Sequence, residues 1–347
     1  MRRMAMLGAG LSIFVSLVTA GGATAFAAKD GALEGGDIRV LALDPARSQT
    51  VYAGTWRSGI FKSNDGGRSW SSFGDKLDGL GVRAVAIKPS DSNTVYVGTN
   101  GHGAFKTVDG GKTWELLEGI PQQTYIFSLA IDPADPKTVF AGTSKGIYRS
   151  DNAGGTWVAA NEGLSYKCIH SVLISPTSSK MVYAGTWSGG LYKSTDGGKS
   201  WAPLDAPQGV KSLCSPALDP RSEDTVYAGA KGCVYKSTDG GQTWQATNTA
   251  LPSGHVYSLA LVSSQTTPIL YAGTREGVFK STDSGETWTA VNKGISDVGV
   301  HSLVVDPTDS QVIYAGTRSK GVFKSVNGGA TWTPSNNSLY ASSNSRW

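Results

Sequence analysis

Lys193 to Trp201 reads KSTDGGKSW, and Lys236 to Trp244 reads KSTDGGQTW. The phrase recurs five more times, as KSNDGGRSW, KTVDGGKTW, RSDNAGGTW, KSTDSGETW and KSVNGGATW. Its closing tryptophans are Trp70, Trp114, Trp157, Trp201, Trp244, Trp288 and Trp332, separated by 44, 43, 44, 43, 44 and 44 residues. So regular a period makes each repeat one structural unit.

One repeat resolves into four short strands. In the last, HSLVVD is a β-branched run stopped by Pro307, VIYAGT is a second run, GVFKS a third, and TWTP opens a fourth beyond a glycine turn. Four strands in ~44 residues are the signature of a propeller blade. The second strand recurs as VYAGT, VYVGT, VFAGT or a close variant in every repeat. Its glycine fits a sheet whose neighbour approaches closely. The expected fold is therefore all-β, a seven-bladed β-propeller of four-stranded antiparallel blades. Each blade is complete in sequence order, so closure rests on blade one packing against blade seven.

The rest of the composition fits a large globular core: 347 residues, 39% hydrophobic, with 45 glycines that favour turns over long helices. The formal charge is +4, including Arg2 and Arg3 in the opening segment, so the remainder is close to neutral and nothing demands nucleic acid. That segment, MRRMAMLGAGLSIFVSLVTAGGATAFAAKD, has the charged, apolar and small-residue zones of a secretory signal peptide ending near Ala27. A retained anchor is the competing reading, weakened by its glycine- and alanine-rich second half. The expected organisation is a signal peptide over 1–27, a linker over 28–36, the propeller over 37–336 and a polar tail over 337–347, in a secreted or periplasmic protein. Cys168, Cys214 and Cys233 show no metal or redox spacing, and a Cys214 to Cys233 bridge stays open.

The phrase resembles the Asp-box, Ser-x-Asp-x-Gly-x-x-Trp, of the BNR-type propellers: sialidases, xyloglucan hydrolases, sortilin heads and the photosystem II assembly factor family. The likeness covers about 300 residues in seven phased copies. It implies that each box is the hairpin between third and fourth strands. There Asp65, Asp109, Asn152, Asp196, Asp239, Asp283 and Asn327 accept hydrogen bonds from turn amides and the closing tryptophans are buried. Asn152 and Asn327 keep the acceptor oxygen without the charge. One carboxylate per loop falls short of the roughly six to eight oxygens calcium takes, so no metal or other cofactor is expected.

Columns that stay constant across repeats hold up the ring, and columns that differ chemically can carry a site. Five positions before the first-strand aspartate, or its equivalent, stand Arg39, Arg83, Phe127, His170, Cys214, Tyr257 and His301. This column faces the channel mouth, and His301, Arg39 and Arg83 fall in consecutive blades as a cationic arc suited to an anion. After the second strand, Trp56, Arg57, His102, Lys145, Trp187, Lys231, Arg275 and Arg318 ring the same face. The candidate ligand residues are Arg39, Arg83, His301, His170, Tyr257, Trp56, Arg57, Trp187, Lys231, Arg275 and Arg318. The histidines lie in separate blades and form no metal motif.

A sialidase-like enzyme resembling the family would need its Arg-Ile-Pro signature, where this chain has DIRVLALDP. Xyloglucan hydrolases of this type use two propellers with opposed acids, whereas here Asp37, Asp75, Asp78, Asp297 and Glu276 supply no evident acid and base pair. The resemblance closest in layout is to the single-propeller photosystem II assembly factors, which hold a protein client on a basic face. The expected function is an exported, non-enzymatic, monomeric propeller that holds a protein segment or glycan of anionic or polar character. No nucleic acid and no stable membrane insertion after cleavage are expected. The alternative is a glycoside hydrolase.

Overall fold

The same strand and turn chemistry is repeated in every blade. In the first repeat Ile38–Asp44, Arg47–Thr55, Ile60–Ser63 and Ser71–Ser72 are the four strands, paired in chain order. The computed structural model describes residues 36–207, 210, 213–247, 251–262 and 267–339. Seven four-stranded antiparallel sheets succeed one another, each made of consecutive strands, ending with Thr333–Pro334. The 3-10 turn Asp75–Leu77 is the one helical element among the described residues. The proposed signal segment, residues 1–27, lies outside the described residues, as do 340–347 of the polar tail.

First strands pack side by side around the axis, and the core lies between blades rather than within them. Tyr52 and Phe73 of blade one, for example, share a cluster with Phe105 and Trp114 of blade two. The second-strand glycines permit this approach. A Cβ on Gly98 would stand 2.5 Å from Cγ2 of Ile126 in the next blade. Serines inside the first strands tie neighbours together, as where Ser128 Oγ accepts the Val172 amide at 3.1 Å.

The repeated octet forms the turn between third and fourth strands. In the second blade the Asp109 carboxylate accepts the Thr113 amide at 3.0 Å and the Thr113 and Thr107 hydroxyls at 2.6 and 2.8 Å. Those bonds, led by the Thr113 hydroxyl, hold the carboxyl down to about 2. Asn152 replaces this with its Oδ1 accepting the Thr156 amide at 2.8 Å and its Nδ2 donating to Thr156 Oγ1 at 3.0 Å. Six closing tryptophans are buried, whereas Trp244 is half-buried. The lysine just before the octet reaches the next blade: Lys106 Nζ donates to Ala153 O at 2.8 Å, beside Tyr96 Oη at 2.9 Å from the same oxygen.

Blade seven closes onto blade one by the same devices, without exchanging a strand. Lys324 Nζ and Tyr314 Oη both donate to Gly66 O, at 2.8 and 3.0 Å, and the Leu41 amide donates to Ser302 Oγ at 3.0 Å. Residues beyond the last strand complete the seam. Ser335 O accepts Trp70 Nε1 at 2.8 Å, Asn337 O accepts the Trp70 amide at 3.0 Å, and Leu339 is fully buried in the shared core. Cys233 is a free thiol whose Sγ donates to Val234 O at 3.2 Å and Thr247 O at 3.3 Å, and the side chain of Cys214, the other half of the bridge left open by the sequence, lies outside the described ones.

Candidate functional site: the mouth of the central channel

The loops between second and third strands hydrogen-bond the segments that enter the first strands. The Trp56 amide donates to Asp37 O at 3.0 Å, and the Ser144 amide to Tyr125 O at 3.0 Å. The octets bond instead to the turns between first and second strands, as Gly110 N does to Asn93 O at 3.0 Å. The two loop sets thus define opposite faces, and the variable residues share the face away from the octets.

A β-bulge sets the variable column apart. In blade one Ile38 pairs with Thr55 and Val40 with Gly54, leaving Arg39 as the extra residue. Arg83, Phe127, His170, Tyr257 and His301 are the extra residues of blades two, three, four, six and seven. In blade five the irregularity moves one residue on, to Ser215, which takes a positive φ of 54° between Cys214 and Pro216. A bulge re-aims its side chain and bends the strand, so six of the seven blades place a residue released from the strand ladder at the channel rim, whereas Ser215 of blade five is buried and donates to Tyr257 O at 3.1 Å.

These side chains join into a circuit. The guanidinium carbons of Arg39 and Arg83 stack on the Trp56 ring at 4.2 and 4.6 Å, and Arg83 also lies 5.3 Å from the Phe127 ring. Phe127 stacks on His170 at 4.4 Å, His170 meets Trp187 at 5.2 Å, and Trp187 stacks on His255 at 5.4 Å. Two residues along the chain, Tyr257 meets His301 edge-on at 5.3 Å. Asp37 stands at the arginine end of the run, bonded to Arg39 Nη2 at 2.6 Å. Arg83 Nε donates to Asn100 Oδ1.

Electrostatics divide the rim. Burial, then the proximity of Arg39, lowers Arg83 to about 10, so it stays charged at neutral pH. Burial also lowers Arg39, opposed by Asp37, and raises Asp37, opposed by Arg39. Burial and then the charges of Arg39, Arg318 and Arg83 push His301 down to about 3. His301 is therefore neutral, and the cationic arc expected from the sequence consists of the arginines alone. Although His301 Nδ1 lies 3.8 Å from Asp37 Oδ1, a neutral ring at that distance makes neither an ion pair nor a hydrogen bond.

The structure brings Arg39, Arg83, Trp56, His170, Trp187, Tyr257 and His301 together at the rim. Arg57, Lys231, Arg275 and Arg318 stand exposed on the surrounding loops. Of these, Arg318 is near enough to act on Asp37, Arg39 and His301, and Lys231 bridges to His255 through the backbone. Sequence reasoning chose no ligand role for Phe127, Asp37, His255, Tyr125 or Asn100. A signal existed for three of them. Two positions before the bulge residue of every blade but the fifth stand Asp37, Gly81, Tyr125, Cys168, His255 and Gly299, a second column as varied as the first. Among the described residues no group of three His, Cys, Asp or Glu side chains could hold a metal, and no helix is long and apolar enough to cross a membrane.

Comparison with known proteins agrees with this architecture. Residues 145–253 match the family model "Sortilin, neurotensin receptor 3", and residues 217–344 match "Photosynthesis system II assembly factor YCF48". No curated protein matches the chain. Among solved structures, the GH74 xyloglucanase from Xanthomonas campestris superposes with a TM-score of 0.75 at 19% identity, over 88% of this chain and 55% of that one. YCF48 bound to D1 peptide gives 0.64 at 14% identity, over 85% of this chain and 93% of that one. The extracellular domain of a one-component system from B. thetaiotaomicron gives 0.66 at 17% identity, over 90% of this chain and 40% of that one. This chain thus spans about half the length of the xyloglucanase. Seven complete blades, the phased repeats and the two family matches make the chain a seven-bladed β-propeller of the BNR type.

Proposed function

We propose that this propeller is an exported binding protein that holds a protein segment or a glycan, anionic or polar in character, across the channel mouth without transforming it. The observation that carries the reading is the Trp56 ring stacked with both Arg39 and Arg83 and continued through Phe127, His170 and Trp187. Guanidinium groups already packed on an aromatic face lose little freedom when they meet an anion. Trp56 and Trp187 remain half-exposed, which leaves flat apolar surface for the rest of the ligand. YCF48 has been captured with a peptide, and the B. thetaiotaomicron relative is an extracellular domain; both are compatible with such a role.

A hydrolase would need paired carboxylates at the same mouth. Asp37 is committed to Arg39, Asp78 accepts a hydrogen bond from Ser72 Oγ at 2.9 Å, and Glu276 is exposed on the rim loop. The binding reading accounts for the whole circuit, whereas hydrolysis uses almost none of it.

The test is affinity capture from the envelope and extracellular fractions of the producing cell. The native protein is compared with a triple variant, Arg39→Ala, Arg83→Ala, Trp187→Ala, that still melts cooperatively. The proposal expects one protein or glycan enriched by the native form and lost by the variant. Equal capture by both forms contradicts it.

A further inference from the structure

The seven loops between second and third strands carry cations that the stacked circuit does not use. Arg57, Lys145, Lys231, Arg275, Arg318 and Lys320 stand exposed on them, and Glu276 is the one carboxylate there. Among the described residues none of the six takes part in an ion pair. The linkers into the first strands lean the other way, with Asp75, Asp78, Asp205 and Asp297 against Lys76 and Lys167 among the described residues, yet the face stays basic. The opposite face holds the octet aspartates and turn acids such as Asp91, Asp135 and Asp309. Among the described residues the exposed Tyr, Trp and Phe side chains are Tyr125, 48% exposed, and Tyr166, 42% exposed, and both lie on the mouth face. Rim-loop serines hold them: the Tyr125 amide donates to Ser144 Oγ at 3.1 Å, and Ser188 Oγ donates to Tyr166 Oη at 2.5 Å.

We propose that the mouth face adsorbs to a bilayer surface rich in anionic phospholipid, without inserting into it. The inference goes beyond the ligand reading and gives a role to the loop cations outside the circuit. Cations with no carboxylate partner in the fold keep their charge available to lipid phosphates. Their placement selects a surface over a single chain. They sit in blades one, three, five, six and seven and so surround the channel. A polypeptide laid across the mouth meets some of them, whereas a plane of negative charge meets them all. Tyrosine rings with a polar tip settle at the level of lipid headgroups. The octet face is too distant to oppose this. The first strand Val82–Ile87 alone spans about 20 Å, twice the roughly 10 Å over which charge is felt at about 0.1 M salt. The course of the chain agrees. Gly36 O accepts the amide of Gly321, in a rim loop of blade seven, at 3.0 Å, so the polypeptide comes to blade one on the mouth face. Residues 28–35 reach at most about 30 Å when extended, so a bilayer that engages the proposed signal segment meets the mouth before the octets.

Flotation with extruded vesicles tests this on the chain from residue 28 onward, which keeps every described residue. Vesicles of pure phosphatidylcholine are compared with vesicles containing about 40% phosphatidylglycerol, at about 50 mM salt. The native protein should float with the anionic vesicles alone and be released at about 0.5 M salt. The variant Lys145→Ala, Lys231→Ala, Arg275→Ala should bind them at least about tenfold more weakly, since each basic residue at an anionic surface contributes about fivefold. The variant Lys112→Ala, Lys137→Ala, Lys199→Ala, altered on the octet face, should bind within about twofold of native. All six positions are exposed, and thermal melts like that of the native protein establish that both variants fold. Equal flotation with both kinds of vesicle, no flotation with either, or equal weakening by the two variants overturns the proposal. Hexaglutamate that binds the native protein and not the mouth variant, with no flotation, assigns the loop cations to an acidic protein segment instead. Flotation without capture of any ligand keeps the bilayer contact and removes the ligand reading.

Discussion

At neutral pH the His301 ring is a buried neutral group among arginines, and this makes stability depend on pH. In the unfolded chain the imidazole takes a proton near 6.5, whereas in the folded protein it does so only near 3. Between those values the unfolded state binds more protons, so stability falls as pH drops from 6.5 toward 3. By pH 5 this one group should remove about 2 kcal/mol. Urea unfolding at pH 7 and pH 5 checks it: His301→Gln should lose about 2 kcal/mol less than the native protein across that interval. Equal losses would mean that His301 is not desolvated as described. The sequence shows that a histidine stands at the rim in blade seven. It does not show the charge, because neutrality comes from burial among Arg39, Arg83 and Arg318, which lie in different blades.

Among the elements, the bulged first strand is the unit that separates scaffold from site. Its regular positions pair with the second strand and pack on neighbouring blades, while the extra residue is released to vary. Comparison of the repeats located this column in the sequence, since Arg39, Arg83, Phe127, His170, Tyr257 and His301 break a pattern of aliphatics. The stacking of Phe127 on His170 and of Trp187 on His255 was not legible, because it depends on how adjacent blades are rotated about the axis. Glycines of the second strand were legible as points of close approach, and Gly98 bears this out. Gly98→Ala should destabilise by about 1–3 kcal/mol through overpacking against Ile126. Gly254→Ala, where the added Cβ would meet nothing closer than Arg275 Cβ at 3.5 Å, should be neutral within about 0.5 kcal/mol. Thermal melts of the two variants discriminate, and equal melting temperatures would contradict the packing described.

For the whole molecule the decisive feature is closure without strand exchange. Regular repeats announced seven blades, and the chain order of each sheet follows from short turns, so the architecture was readable from period alone. What the sequence concealed is that residues past the last strand act as scaffold. Polar composition around Asn336 and Asn337 suggested a tail, yet Asn337 O holds the Trp70 amide and Leu339 is buried in the seam. Leu339→Ala should therefore cost about 2–5 kcal/mol, as for a buried leucine elsewhere, and chemical denaturation measures it. A cost under about 0.5 kcal/mol would place closure elsewhere. A ring closed in this way is a rigid frame, and the residues it holds at the channel mouth are set before any ligand arrives.

The claim that this mouth is the binding surface is tested most directly by hydroxyl-radical footprinting with and without the captured ligand. The account predicts reduced oxidation at Trp56 and Trp187, with Val108 and Val326, exposed on the octet face, unchanged. Protection of Val108 and Val326 with Trp56 and Trp187 unaffected would contradict it.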